Sequence, residues 1–347
     1  MRTEAWLNRI WYEGLPPPWW LRSLAGLYGA VAAVRRDLYR SNLRRSTRLA
    51  VPVIVVGNLS VGGTGKTPLV LWLTGQLKSR GLAPGIVTRG FGGRVRGPRL
   101  LDATAEPADA GDEPVLLQRR AGVPVAVGRD RPAAAALLQR AGCNLIISDD
   151  GLQHYALERD CEIVVVDGLR RFGNGRLLPA GPLREAPQRL RGVDALIVNG
   201  GEAAAVTGGA LLEQTFAMAL VAGSAVALVG GEQRPLAAFR GAPVHAVAGI
   251  GNPRRFFAML RDAGLELIEH PLADHARIAA GDICFPDRNP VLMTEKDAVK
   301  CGRLADERHW YVPIAAGFEP AAREALLEIV LRRTGLTKAI AGEVQRG

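Results

Sequence analysis

One stretch, Gly57-Asn58-Leu59-Ser60-Val61-Gly62-Gly63-Thr64-Gly65-Lys66-Thr67, limits the possible folds more than any other part of the chain. An apolar run at residues 51–56 leads into it, and a segment of helical character at 68–80 leads away. A strand that breaks into glycines and restarts as a helix at Lys-Thr is the arrangement of a phosphate-binding loop. Successive backbone N–H groups of such a loop turn inward and form an anion nest. The helix N-terminus adds partial positive charge. Ser60, Gly62, Gly63, Thr64 and Gly65 form the expected cradle, Lys66 reaches the β- and γ-phosphates of a nucleotide, and the Thr67 hydroxyl ligates Mg2+. The generic motif asks for glycine where this chain has Ser60, so the loop is a variant.

The rest of the chain supplies the sheet that such a loop needs. Residues 85–88, 123–127, 144–148, 162–166 and 195–198 are apolar runs alternating with helical segments. Continuous apolar strands between helices indicate a parallel sheet covered on both faces. Past residue 200 the rhythm loosens into an Ala- and Gly-rich connector at 200–209. Residues 214–220 and 225–229 are expected to pair with each other as a two-stranded linker. A second α/β unit follows, with strands at 244–248, 265–269, 291–294 and 310–313, a helix at 254–262, a closing helix at 319–334 and a loose tail at 335–347. The expected organisation is an N-terminal segment (1–48), a phosphate-loop domain (49–212), a linker (213–230) and a smaller α/β domain (231–347). With 347 residues the chain has room for two such domains, each with its own core. Four scattered cysteines form neither a CxxC pair nor a zinc spacing, which suits a reducing compartment. Cys143 and Cys161 adjoin apolar runs and read as small buried hydrophobes.

The net charge of +10 is unevenly placed: residues 1–50 hold nine arginines against three acidic groups. The apolar run 19–34, WWLRSLAGLYGAVAAV, precedes Arg35, Arg36, Arg40, Arg44, Arg45 and Arg48. It is shorter than the roughly 20 residues a membrane span needs, and the three prolines before it do not suit a signal peptide. Two Trp and a Tyr beside arginines suit a helix lying in a headgroup boundary, with a helix packed on the core as the alternative. Nucleic acid is disfavoured, because the arginine-rich arm lacks a basic-and-aromatic recognition motif. No feature implies a protein partner.

Asp149-Asp150 ends an apolar strand and is the natural partner of the phosphate loop, one carboxylate serving Mg2+ directly or through water. Asp112 in AGDEP, His154 in DGLQH and Asp274-His275 in LADH are candidates for accepting a proton. Arg129, Arg131 and Arg184 are candidates for neutralising phosphate charge. Thr294-Glu295-Lys296-Asp297 places lysine one position too late for guanine recognition, so ATP is the expected nucleotide. A lipid kinase, a soluble small-molecule kinase and a membrane-recruited ATPase all remain compatible with these residues.

In order, VGNLSVGGTGKTP (56–68), TRGFGG (88–93), AGDEP (110–114), GRDR (128–131), DDGLQH (149–154), LLPAGPLREAP (177–187), GIGNP (249–253), Asp274-His275 and MTEKDAVK (293–300) resemble the motifs of the tetraacyldisaccharide 4'-kinase family, the lipid A 4'-kinases of Gram-negative bacteria. Ser60 belongs to that family's own version of the loop; Phe91 stands where many members have Tyr, and Ala186 is an insertion. The resemblance implies a P-loop NTPase-like α/β domain, a smaller α/β domain and an N-terminal membrane-associated helix. It implies ATP and Mg2+ as cofactors and transfer of the γ-phosphoryl group to the 4'-hydroxyl of tetraacyldisaccharide 1-phosphate, at the cytoplasmic face of the inner membrane. It further implies Asp112 as catalytic base assisted by His275, Lys66 and Arg131 on phosphates, and Thr67 with Asp149 or Asp150 on the metal.

Overall fold

The structure, a computed structural model, describes residues 2–94, 96–207 and 214–337. Two helices, α1 (Arg2–Tyr12) and α2 (Trp19–Arg40), precede the first sheet. Its strands are β1 (Val53–Gly57), β2 (Pro84–Thr88), β3 (Arg99–Leu100), β4 (Val125–Val127), β5 (Leu145–Asp149), β6 (Cys161–Asp167), β7 (Ala195–Asn199) and β8 (Thr215–Ala222). Between them lie α3 (Lys66–Lys78), α4 (Pro107–Ala110), α5 (Asp112–Ala121), α6 (Arg131–Arg140) and α7 (Ala203–Thr207). The chain then builds a second sheet from β9 (Ala225–Ala227), β10 (Gln233–Arg234), β11 (Val244–Ala248), β12 (Leu267–Pro271), β13 (Val291–Thr294) and β14 (His309–Val312). Helices α8 (Pro253–Asp262), α9 (Ala280–Ile283) and α10 (Glu295–Cys301) accompany it. Strand β15 (Ile314–Gly317) and helix α11 (Pro320–Thr334) complete the described chain.

The first sheet has the order β15-β8-β7-β6-β1-β5-β2-β4-β3. β3 and β15 run antiparallel at its two edges, and the seven strands between them are parallel. Every residue of β1 is buried, because alternate side chains enter different cores. Ile54 and Val56 pack with Leu69 and Leu73 of α3. Val53 and Val55 pack on the opposite face with Ala134 and Leu138 of α6. The second sheet, β10-β9-β14-β13-β11-β12, keeps its four central and edge strands β14, β13, β11 and β12 parallel. Cys143 and Cys161 are buried, as their apolar neighbours suggested.

The connection between the sheets differs from the expected linker. Residues 214–220 and 225–229 do not pair with each other. β8 pairs with β7 and β15 in the first sheet, and β9 pairs with β10 and β14 in the second. Phe216 and Met218 of β8 belong to the large core, which pulls that strand onto the first sheet's edge. The chain crosses outward at residues 223–224 and returns at Pro313, and the Gly223 N–H donates to the Pro313 carbonyl at 2.8 Å. The two crossing segments are therefore outgoing β8 and returning β15. Helix α11 also departs from expectation: Leu326, Leu327 and Val330 are buried in the first sheet's core, so the closing helix returns to the phosphate-loop body. The expected boundary at 212–213, the connector's last residues 208–209 and the tail beyond 337 lie outside the described residues.

Candidate active site

The carboxyl ends of the parallel strands, where such sheets place ligands, open on one cavity of about 940 Å³ between the two sheets. Residues 61–68 line its floor, while Ile250, Asp274, His275 and Lys296 approach from the second sheet. Tyr28 and Arg35 of α2 close a further wall. The Tyr28 hydroxyl donates to the Arg184 carbonyl at 3.2 Å, which ties the N-terminal helix to the site.

The phosphate loop owes its shape to glycines and to an asparagine from another strand. Gly62 and Gly65 have φ of +103° and +96°, a region open to glycine. A Cβ on Gly65 would stand 2.3 Å from Asn199 Nδ2. Asn199, buried at the end of β7, donates to the Thr64 carbonyl at 2.8 Å. Asn58 donates to Thr64 Oγ1 at 3.3 Å. Ser60 is buried, takes no left-handed backbone and forms a bridge with Leu183, so a side chain is tolerated where the generic motif has glycine. It is absent from the residues lining the cavity, whereas Gly62, Gly63, Thr64, Gly65, Lys66 and Thr67 all line it.

The two strand-end aspartates have different surroundings. Asp150 lies 3.4 Å from Lys66 Nζ and receives both carboxylate oxygens' bonds from Arg184 Nη1, each at 2.9 Å. Burial alone would raise its pKa, but Lys66, Arg184 and Arg131 outweigh it and hold the carboxyl well below the usual range. Asp149 is buried with neither carboxylate oxygen hydrogen-bonded. Burial, then the negative charges of Glu113 and Asp150, push its pKa up to about 7. Arg131 is also buried and borders the cavity, but its guanidinium is engaged inward: Nη1 donates to Ser148 Oγ at 2.8 Å and Nη2 to the Asp150 carbonyl at 2.9 Å. Burial lowers its pKa to about 10, so it remains charged at neutral pH and fixes the turn that carries both aspartates.

Across the cavity, Asp112 at the start of α5 meets His275 from the second domain, with Asp112 Oδ2 and His275 Nδ1 3.3 Å apart. Lys296 Nζ lies 3.2 Å from His275 Nε2. An ammonium only donates, so Nε2 is the acceptor and Nδ1 carries the proton toward Asp112. Lys296 also binds Asp274 at 3.1 Å and Glu113 at 3.2 Å. These carboxylates more than offset its desolvation and keep its pKa raised. His275 holds this position with φ of +59°, and the Phe91 ring meets it edge-on at 5.0 Å. His154 also lines the cavity, but burial and then the charges of Arg131, Arg35, Arg159 and Arg89 lower its pKa to about 4. It is neutral at physiological pH.

Of the residues singled out in the sequence, Lys66, Thr67, Arg129, Arg131, Asp150, His154, Arg184, Asp274 and His275 line this cavity; Asp112 adjoins it through His275, and Asp149 is not among the lining residues. Sequence reasoning passed over Glu113, Asn199 and Arg255, and it weighed Lys296 only as a guanine contact. Asn199 carries the same signature as Asp149, a polar residue ending an apolar strand. Arg255 carries no local signal because its partners Asn199 and Asp167 belong to the first sheet, and Lys296 carries none because Asp274, His275 and Glu113 all lie far from it in the chain.

The family model described as Tetraacyldisaccharide-1-P 4'-kinase matches residues 17–331. The tetraacyldisaccharide 4'-kinase of Alkalilimnicola ehrlichii is 50% identical over 344 residues, covering 96% of this chain and 97% of the relative. That of Halorhodospira halophila is 51% identical over 308 residues, 88% of this chain and 90% of the relative. Among solved structures, LpxK from Aquifex aeolicus in complex with ATP superimposes with a TM-score of 0.74 at 27% identity, over 90% of this chain and 98% of that one. Sequence and fold agree across nearly the whole length: the chain belongs to the tetraacyldisaccharide 4'-kinase family.

Proposed function

We propose that the cavity performs the family's reaction, transfer of the γ-phosphoryl group of ATP to the 4'-hydroxyl of tetraacyldisaccharide 1-phosphate, with the residues in the following roles. The observation that carries this reading is that one cavity holds both a phosphate loop and, facing it from the other sheet, a histidine that donates to a carboxylate. The loop N–H groups and Lys66 cradle the β- and γ-phosphates. His275 occupies one oxygen of Asp112, which leaves the other to accept the proton of the attacking hydroxyl. The ammonium of Lys296 fixes the tautomer that makes this possible. Asp112 and His275 come from different domains, so this pair is complete only when the domains are together.

The residues also fit Mg2+. Thr67 and the aspartates offer hard oxygen donors, and Asp149 keeps two buried oxygens without partners. Asp150 lines the cavity but is already neutralised by Arg184 and Lys66, whereas Asp149, buried and off the lining, keeps both oxygens free; Asp149 is therefore assigned to the metal, directly or through water, with Asp150 holding the cations in place. Among the described residues no group of three or more His, Cys, Asp or Glu forms a cage, which agrees with an ion bound mainly by nucleotide phosphates and one or two protein oxygens. Mg2+ supplies charge neutralisation on the transferring group.

The acceptor is a lipid, and α2 is suited to meet it. No described helix is long and apolar enough to cross a membrane. Leu21 and Ala25 pack inward, while Trp20, Leu24, Leu27, Val31 and Val34 form one exposed stripe at helical spacing. Leu27 is 62% exposed and Val31 61%. This stripe, with Arg22, Arg35, Arg36 and Arg40 on the same helix, describes a helix lying in the anionic headgroup layer at the cytoplasmic face of the inner membrane. The helix then delivers the disaccharide to the wall formed by Tyr28 and Arg35. The test is direct: purified protein with Mg-ATP labelled at the γ-phosphate, supplied with the disaccharide lipid in detergent or vesicles, transfers label to the lipid. If label is released only as inorganic phosphate at the same rate with and without lipid, the reading is wrong.

A further inference from the structure

The second domain does more than complete the cavity, because its loop at 249–252 touches the backbone of the phosphate loop. A Cβ built on Gly251 would meet the Gly63 nitrogen at 2.6 Å, so only glycine permits this approach. Two arginines fasten the contact from opposite sides. Arg170, just after β6, donates from Nη1 to the Gly251 carbonyl at 2.7 Å. Arg255, in α8, donates from Nη2 to Asn199 Oδ1 at 2.6 Å and to the Asn199 carbonyl at 3.2 Å. Its Nη1 stands 3.7 Å from Asp167 Oδ2. Asp167 Oδ1 in turn accepts from the backbone N–H of Leu169 at 2.9 Å and of Arg170 at 3.1 Å, and so shapes the turn that aims Arg170 at the other domain.

Asn199 stands between the two bodies. Its oxygen is held by Arg255 of the second domain, and its Nδ2 donates to the Thr64 carbonyl of the phosphate loop. An arginine only donates and a carbonyl only accepts, so these two partners fix which way the amide faces. Without Arg255 the amide keeps its bond to the Thr64 carbonyl but loses the anchor on its oxygen, so the side chain is free to shift and to carry Thr64 with it. Thr64 precedes Gly65, whose left-handed turn starts α3 and places Lys66.

We propose that Arg255 is a positioning residue for the phosphate loop: docking of the second domain brings its guanidinium onto Asn199, and the oriented amide sets Thr64 and Gly65 for nucleotide phosphate. Domain closure and loop geometry are thereby one event. The inference rests on the nucleotide-binding part of the reading above, not on the identity of the acceptor.

A double-mutant cycle tests it. Affinity for Mg-ATP, read with a fluorescent ATP analogue, is measured on the full chain for wild type, Arg255→Ala, Asn199→Ala and the double variant. Each single variant loses about tenfold or more, the scale of a hydrogen bond from a charged group. The double variant is no weaker than Asn199→Ala alone, within about threefold. Arg255→Lys, which retains one donor, recovers part of the loss, and only while Asn199 is present. Losses that multiply in the double variant place Arg255 directly on the nucleotide and overturn the proposal, as does wild-type affinity in Arg255→Ala. Should Arg255→Ala fail to fold by circular dichroism, the same cycle is run with Arg255→Lys. A chain that binds ATP with this coupling yet never phosphorylates the disaccharide removes the acceptor assignment and leaves the positioning role intact.

Discussion

Asp149 is the residue whose replacement separates stability from function most sharply. An unstructured aspartate titrates near ~3.9, whereas burial brings Asp149 to about 7 in the folded protein. Between these values the folded state keeps a proton that the unfolded state has lost. Stability therefore falls as pH rises across that window and levels off above it. The full cost at pH 8 is about 4 kcal/mol, from about 1.4 kcal/mol per pH unit. Asp149→Asn has the same shape and does not titrate. Between pH 5 and pH 8 the variant should gain about 3 kcal/mol on wild type, or roughly 5 °C in melting temperature. The assay is thermal melting of both proteins in chelator across that range. Adding Mg-ATP at pH 8 should then raise the melting temperature of wild type and leave the variant behind, because the metal neutralises the carboxylate that only wild type has. Turnover of the variant should fall by 100-fold or more, on the order of ~3 kcal/mol of transition-state charge stabilisation. Parallel melting curves for the two proteins between pH 5 and 8 would show that Asp149 is already ionised in the folded chain, and the reasoning from its orphaned oxygens would be wrong.

Three further outcomes follow from the geometry. Asp112→Asn should lower kcat by about 10² to 10⁴, the usual contribution of a positioned base, with ATP affinity held within about threefold; a matching loss of affinity would move Asp112 to the nucleotide site. Lys296→Met should lower kcat by about tenfold or more with ATP affinity held within about threefold, since the Nδ1–H tautomer of His275 is no longer enforced; an unchanged kcat would refute the tautomer assignment. Leu27→Glu with Val31→Glu should release the protein from anionic vesicles, each apolar side chain contributing about 1.5–3 kcal/mol when buried, while hydrolysis of ATP in detergent persists; retained vesicle binding would exclude the exposed stripe as the docking face.

The features legible in the sequence were those with short-range causes. The phosphate loop was visible because glycine tolerance and a Lys-Thr helix start are local properties of Gly62–Thr67, and the parallel sheet because burial on both faces leaves unbroken apolar runs such as β1. The exposed stripe of α2 was visible as an apolar run bordered by arginine. Pairings between distant segments were not legible. In sequence the linker has the pattern of two neighbouring strands, yet β8 pairs with β15, which follows only after the second domain's strands. Helix α11 has little one-sided patterning to say which of two apolar cores it covers, and contact with the first sheet decides it. The two adjacent aspartates were indistinguishable in the sequence. Only the fold gives Asp150 to Arg184 and Lys66 and leaves Asp149 buried without a partner. The loop at Gly57–Thr67 was thus determined by its own residues as a phosphate cradle. Its closure by Asn199, Arg255 and Gly251 was decided by tertiary structure, because hydrogen bonds between segments more than 50 residues apart leave no periodicity in the chain that makes them.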